Sequence, residues 1–128
     1  GSSSDVIVER WNGVPFDKPL TRVRETVAAL RPVLAGERGP GGFRLETPPA
    51  EPVPIYVAAL RDRMLRLGGE VADGTFVNFL PLSAAEHVVA TIAPPAGHDV
   101  ICRFFCIPAP FRGAGTFPVR AFAILPKT

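Results

Sequence analysis

Histidine and cysteine are scarce in this chain, with two of each among its 128 residues. Neither His87 nor His98 lies at a spacing from cysteine, aspartate or glutamate that is typical of a metal site, so no metal is expected. A cysteine-histidine nucleophile would have to be assembled by long-range folding. We therefore predict that His87 is a solvent-facing helix residue and that His98 has a structural role where it precedes a strand.

Long apolar runs and an excess of one charge are also missing. No uninterrupted apolar stretch approaches the roughly 20 residues of a membrane span, so no membrane association is expected. The formal net charge is +2, with acidic and basic residues interspersed, which gives no electrostatic basis for binding nucleic acid. No charged segment followed by an apolar one opens the sequence, so no secretion signal is visible.

The two cysteines, Cys102 and Cys106, lie four residues apart in an apolar run. Along an extended strand this separation is too long for a comfortable disulfide. Free buried thiols are typical of proteins in a reducing compartment. We therefore predict that both are unpaired and that the protein is cytoplasmic.

Hydrophobic residues make up 47% of the chain, and they fall into runs that predict a parallel α/β fold. Residues 53–59, 75–80 and 100–107 are apolar and mostly branched or aromatic, which is typical of parallel strands covered on both faces. Helices are predicted before the first strand and after each of the first two. The chain is about half as long as the roughly 250 residues of a closed eight-stranded α/β barrel.

Apolar residues recur at intervals of three and four residues in the predicted helices, so that each helix has one apolar stripe facing inward. The inward positions are Leu20, Val23, Val27, Leu30 and Leu34 in the first helix, Leu60, Met64, Leu67 and Val71 in the second, and Val88, Val89 and Ile92 in the third. Gly68 and Gly69 predict a close approach to a neighbouring element. Ser83 and Glu86 predict a capping box for the third helix. Residues 36–52, rich in glycine and proline, predict a lid or an insertion.

Candidate binding residues lie where the first two strands end, because α/β folds bind ligands at the carboxyl ends of their strands. Ala58 and Ala59 are small and leave room for a ligand. Asn78 is a polar group in an otherwise apolar strand, although a strand-end hydrogen bonder without a ligand is the simpler interpretation. Arg61 opens a helix, where the dipole disfavours a cation, which suggests a contact with an anion. Residues 1–4 are either an expression scar or a small-residue loop of the kind that contacts ligands.

The chain resembles a known family over residues 1–107. The residues that carry the resemblance are GSSS with VIVERWNG, a helix containing VRETVAALRPVLAGE, and the segments PVPIYVAAL, RMLRLGGEVADG, FVNFLP and VICRFFCIP. These segments resemble the luciferase-like monooxygenases and coenzyme F-420-dependent oxidoreductases of actinobacterial type. The resemblance implies a closed α/β barrel that uses FMN or coenzyme F-420 for hydride transfer. Residues 108–128 do not fit the pattern and are expected to form a divergent tail.

The resemblance implies that residues 1–4 correspond to the loop after the fourth strand of the family's barrel. The three predicted strands then correspond to its fifth, sixth and seventh strands. The loop and the end of the next strand are then implied to line the cofactor site. Together with the two strand-end polar residues, the expected cofactor-binding residues are Gly1, Ser2, Ser3, Val57, Ala58, Ala59, Arg61 and Asn78. Relatives usually carry Gly-Pro after the first of these strands, where this chain has Arg61 and Asp62.

Three classes of function are compatible with this sequence. The first is a half-barrel segment or truncated form of a flavin- or deazaflavin-dependent oxidoreductase, inactive alone. The second is a non-catalytic α/β module for binding or oligomerisation. The third is a small α/β domain of unrelated function. Since a half-barrel has open strand edges, we also expect self-association or pairing with a complementing chain.

Overall fold

The computed structural model describes residues 1–103 and 123–124. A short π-helical segment, Val6–Trp11, precedes the first regular helix, and 3-10 turns lie at Pro40–Gly42 and Leu82–Ala84. The main elements are α1 (Pro19–Leu34), β1 (Tyr56–Ala58), α2 (Asp62–Val71), β2 (Gly74–Asn78), α3 (Ala85–Ile92), β3 (Asp99–Arg103) and β4 (Ala123–Ile124).

The sheet has the strand order β1-β2-β3-β4. The first three strands are parallel, and β4 pairs with β3 in the antiparallel direction. The crossover helices α2 and α3 pack against each other, so they lie on the same face of the sheet. Sequential parallel strands with helices on one face are the arrangement of a barrel segment, whereas a doubly wound sheet carries helices on both faces. The predicted α/β class, a partial TIM-type barrel with parallel strands, is confirmed.

The core lies between the sheet and the helices. Alternate strand residues point to the helix side, where Thr75 and Val77 are fully buried and Val57 and Val100 nearly so. The helices contribute the buried residues Met64, Leu65, Leu67, Val88 and Ile92. Burying a side chain of this size stabilises the fold by roughly 1.5–3 kcal/mol, which makes this layer the main source of stability.

The opposite face of the sheet is uncovered in the described part of the chain. Tyr56 and Ala58 are exposed there, and Phe76 and Ile101 are only half-buried. The predicted covering of the strands on both faces is therefore not found among the described residues, where only one face is covered. The reason is that α2 and α3 both pack on one side, and no described element packs on the other.

Local signals placed some boundaries incorrectly. Ser83 forms no capping box, because the 3-10 turn Leu82–Ala84 comes before the helix and Ala84 is its N-terminal cap, with no side-chain hydrogen bond. Leu60 is 66% exposed, since it lies ahead of α2 instead of on its inner stripe. Leu30 is also exposed. The apolar positions Val27, Met64, Leu67, Val88 and Ile92 are buried as predicted.

The strands are shorter than the apolar runs that predicted them. β1 begins only at Tyr56, after Pro52 and Pro54, which have no N–H to donate to a neighbouring strand. β2 ends at Asn78 because Phe79 adopts a left-handed backbone conformation with φ 56°. Residues 104–107 of the predicted third strand lie outside the described residues, and so does most of the predicted tail.

Both histidines have the roles predicted for them. His98 is buried, with Nδ1 3.2 Å from the Ala72 carbonyl oxygen and Nε2 3.0 Å from Thr75 Oγ1. A carbonyl oxygen can only accept, so Nδ1 donates and Nε2 accepts the Thr75 hydroxyl proton. His98 thus joins the segment before β2 to β2 itself. His87 is exposed on α3, 3.6 Å from the Asp62 carboxylate.

Cys102 is buried and unpaired, as predicted. Its burial raises the pKa of the Cys102 thiol, because the apolar surroundings disfavour the thiolate. Cys106 lies outside the described residues, so its predicted free thiol stays a prediction.

Asp73 fixes the amino end of β1 beside β2. Its Oδ2 accepts the Ile55 N–H at 2.8 Å, and its two carboxylate oxygens lie 3.2 Å from the Arg31 guanidinium of α1. Partial burial acts to raise the pKa of Asp73, but the Ile55 and Arg31 hydrogen bonds outweigh it and hold the pKa below its ordinary value. One carboxylate therefore ties α1, β1 and β2 together.

Candidate functional site

A cavity of about 840 Å³ opens at the carboxyl ends of β1 and β2. Its wall consists of the amino-terminal loop, the turn from β1 into α2, and the end of β2, with further residues from the start of α1. Seven of the eight predicted cofactor-binding residues line it, namely Gly1, Ser2, Ser3, Ala58, Ala59, Arg61 and Asn78. Val57 does not, because its side chain points into the helix-side core and is only 3% exposed. Whether these residues bind a cofactor stays a prediction.

The amino-terminal loop packs tightly against the end of β1. A Cβ atom added to Gly1 would lie 2.7 Å from the Ala58 carbonyl oxygen, so only glycine fits there. The backbone of Ile55 and Ala59 bonds to Asp73 and Phe76, which leaves the Tyr56 and Ala58 backbone groups facing the side of β1 on which no strand is described. Gly1 therefore lies beside this edge, and residues 1–4 belong to the cavity wall.

The amino end of α2 gives one side of the cavity a positive character. Arg61 is the N-terminal cap of α2 and makes no side-chain capping bond. Its carbonyl oxygen accepts the N–H groups of both Met64 and Leu65, while Arg61 and Arg63 are exposed at the cavity. The helix dipole and two guanidinium groups favour an anionic group at this position, and Asp62 partly offsets them.

Asn78 supplies the polar group at the end of β2. Its Oδ1 is buried and has no hydrogen-bond partner among the described residues. The next residue, Phe79, donates its N–H to the Arg103 carbonyl oxygen at 2.9 Å, and the Arg103 guanidinium lies 5.0 Å from the centre of the Phe79 ring. These two contacts hold the turn after Asn78 against the end of β3.

Apolar residues complete the cavity wall, and the sequence interpretation assigned none of them to the site. They include Phe16, Leu20, Leu60, Met64 and Phe76. The alternation of strand side chains could have identified Phe76, which shares a sheet face with Asn78. Phe16 comes from an irregular segment, for which the sequence offers no periodic signal.

Within residues 1–103 and 123–124, no three histidine, cysteine, aspartate or glutamate side chains come together in a group that could hold a metal ion. None of the helices in the same part of the chain has the length and apolar character needed to cross a membrane.

Comparison with known proteins identifies the family. Residues 1–112 match the family model described as luciferase-like monooxygenase. The chain belongs to the luciferase-like monooxygenase family. This confirms the resemblance seen in the sequence motifs and places the chain in a family of oxidoreductases.

Two curated relatives of this luciferase-like chain are reductases. It is 35% identical over 98 residues to the 5,10-methylenetetrahydromethanopterin reductase of Methanolobus tindarius, covering 68% of the chain and 30% of that reductase. It is 33% identical over 86 residues to the enzyme of the same name from Archaeoglobus fulgidus, covering 61% of the chain and 25% of that enzyme. The chain thus matches less than a third of the length of either relative.

Proposed function

We propose that this chain is a segment of a luciferase-like oxidoreductase, that its cavity binds coenzyme F-420 or FMN, and that it has no turnover by itself. The observation that carries the proposal is the cavity at the carboxyl ends of β1 and β2, the position at which α/β barrels bind their ligands. The two methylenetetrahydromethanopterin reductases support a hydride-transfer activity for the whole protein. A cytoplasmic location, where thiols such as that of Cys102 stay reduced, is part of the proposal.

The residues of the cavity suit a flavin or deazaflavin. Its volume of about 840 Å³ lies within the roughly 300–1,000 Å³ of typical ligand pockets. Phe76 and Met64 offer an apolar surface for a ring system, and Asn78 has an acceptor without a partner among the described residues. The close packing of Gly1 on Ala58 keeps the backbone of the amino-terminal loop in the cavity wall, where it can contact a ligand. Arg61 at the amino end of α2 suits an anionic tail.

In this proposal the cofactor supplies the hydride chemistry, and the protein supplies position and electrostatics. Arg61 and the amino end of α2 would hold the anionic tail, while the apolar wall would exclude water from the ring. The described residues leave one sheet face uncovered, so a bound ring would stay open to solvent on that side. This is why we propose binding without turnover for the isolated chain.

Fluorescence titration with oxidised coenzyme F-420 and with FMN tests this function. We expect saturable quenching by the native chain, and about tenfold weaker FMN binding by Arg61→Ala, because a charge-assisted hydrogen bond is lost. Riboflavin, which has no phosphate, should be affected much less by this substitution. Arg66→Ala is the matched control, since Arg66 is exposed on α2 but does not line the cavity. Absence of binding at high micromolar concentration would reject the cofactor role.

The second candidate is a non-catalytic interaction module, favoured by the open edge of β1. The Tyr56 backbone groups face away from β2, while the Ala58 carbonyl oxygen at the end of the strand lies beside Gly1. The sheet face beside Tyr56 is uncovered in the described part of the chain. An unpaired strand edge is a ready template for another strand. We propose that a second copy of the chain or a complementing chain pairs with this edge.

A further inference from the structure

We propose that the Asn78 carboxamide oxygen accepts a hydrogen bond from an N–H or O–H donor of the ligand in the cavity. Asn78 is then a specificity-determining residue, because it favours ligands that place a donor at this point. The inference rests on the proposed function, since it takes the ligand to be a flavin or a deazaflavin.

The Asn78 side chain has an unsatisfied oxygen. Oδ1 is shielded from solvent and has no hydrogen-bond partner in the part of the chain that the structure describes. Buried polar atoms in native proteins almost always have a partner, because leaving one unpaired costs stability. Asn78 is also part of the cavity wall, so a ligand in the cavity can supply the missing donor.

The backbone that follows Asn78 is strained. Phe79 has a left-handed backbone with φ 56°, which is unfavourable for a bulky residue. Its N–H bond to the Arg103 carbonyl oxygen and the stacked Arg103 guanidinium hold this conformation in place. Strained backbone of this kind is concentrated at ligand-binding sites. The Asn78 backbone is therefore held in place, and its side chain stays in the cavity wall.

Ligands of the proposed class carry donors that a carboxamide oxygen can pair. Flavins and deazaflavins carry an imide N–H in the pyrimidine ring and hydroxyl groups on the ribityl chain, and a carboxamide oxygen can accept from either. A site built to pair a ligand donor discriminates against analogues that lack it, because the protein acceptor then stays buried and unpaired. Apolar neighbours such as Phe76 cannot provide that discrimination.

Three probes distinguish the two donors. Riboflavin has both, lumiflavin keeps the imide N–H but lacks the ribityl chain, and 3-methyllumiflavin has neither. We expect Asn78→Leu to bind riboflavin about 3- to 10-fold more weakly than the native chain does, which is the worth of one neutral hydrogen bond. If the imide is the donor, Asn78→Leu also loses the native preference for lumiflavin over 3-methyllumiflavin. If a ribityl hydroxyl is the donor, Asn78→Leu instead loses the native preference for riboflavin over lumiflavin.

Two further variants and a stability measurement distinguish a loss of ligand binding from a loss of folding. Asn78→Asp keeps an acceptor and should retain the native donor preference. Thr26→Val, a polar-to-apolar change on the exposed surface of α1, should bind as the native chain does. Without ligand, Asn78→Leu should raise the midpoint of thermal unfolding, because it removes an unpaired buried oxygen. Asn78→Ala serves the same purpose if leucine proves too bulky.

The outcomes separate this inference from the proposed function. If the native chain binds flavins and Asn78→Leu keeps both its affinity and its preferences, the role of Asn78 is overturned while the proposed function stands. If the native chain binds none of the three flavins, FMN or coenzyme F-420, the proposed function fails, and this inference fails with it.

Discussion

Tyr56 and Asp99 form a polar contact on the uncovered face of the sheet. The Tyr56 hydroxyl donates to Asp99 Oδ2 at 2.5 Å, and the Tyr56 ring lies over Gly74, where any side chain would overlap it. The hydrogen bond to Asp99 raises the pKa of Tyr56, and burial and the negative charge of Asp99 act in the same direction. A carboxylate can accept from the phenol but not donate to the phenolate, so it favours the protonated form.

This contact predicts a measurable titration. Tyr56 is the only tyrosine of the chain, so the absorbance of the phenolate follows this residue alone. In the native chain we expect it to ionise above the usual pKa of about 10. Asp99→Asn should shift the midpoint downward, since the amide is uncharged and can donate to the phenolate. Asp17→Asn, at the exposed start of α1, is the control and should leave the midpoint in place. Equal midpoints in native and Asp99→Asn chains would contradict the contact.

At the scale of elements, two glycines of α2 let the helix approach its neighbours. A Cβ atom on Gly68 would lie 2.5 Å from Thr75 Oγ1, and one on Gly69 would overlap the Ile92 carbonyl oxygen at the end of α3. The close approach predicted from the Gly-Gly pair is confirmed. Glycine weakens a helix interior, so here packing of α2 on β2 and α3 outweighs helix propensity.

Gly69→Ala should therefore destabilise the protein. Alanine improves helix propensity by about 1 kcal/mol, but forcing a methyl group against α3 costs about 1–3 kcal/mol or more, because a backbone oxygen has to move. Urea unfolding followed by circular dichroism measures the difference in unfolding free energy. Arg66→Ala, at an exposed position of the same helix, should change the stability little. A Gly69→Ala chain as stable as the native one would show that α2 and α3 are not tightly packed.

The order of the elements could be predicted from the sequence, but their ends could not. Apolar periodicity reports which residues face a core, and so it identified α1, α2, α3 and the runs containing β1 and β2. Strand ends depend on single backbone groups, such as the missing N–H of Pro54 before β1 or the left-handed Phe79 after β2. The capping pattern at Ser83 failed because a 3-10 turn can occupy the same residues.

The position of the candidate site could be predicted, because it follows from the order and direction of the strands. Carboxyl ends of parallel strands meet at one edge, which is why Ala58, Ala59 and Asn78 came together as expected. The side chain of Val57 points into the helix-side core, because successive strand residues face opposite sides of the sheet. A contact of Val57 with a ligand, which stays a prediction, would have to come from its backbone. Phe16 lies in an irregular segment, whose path follows from tertiary packing instead of any local pattern.

On the scale of the whole molecule, the open β1 edge and the uncovered sheet face predict self-association. Light scattering over a range of concentrations should give a mass that rises above the 13.7 kDa of one chain. Tyr56→Lys should reduce the association, because a charge at the exposed edge opposes strand pairing. Thr26→Lys on α1 is the control and should associate as the native chain does. A monodisperse species of monomer mass at every concentration would reject the proposed interaction.

The packing of Gly1 against Ala58 has a practical consequence for protein engineering. Even an alanine at position 1 would place its methyl group 2.7 Å from the Ala58 carbonyl oxygen, so the loop would have to move away from β1 and the cavity wall would change shape. Substitutions meant to widen or narrow the cavity should therefore leave position 1 unchanged. They should begin at an exposed wall residue such as Leu60.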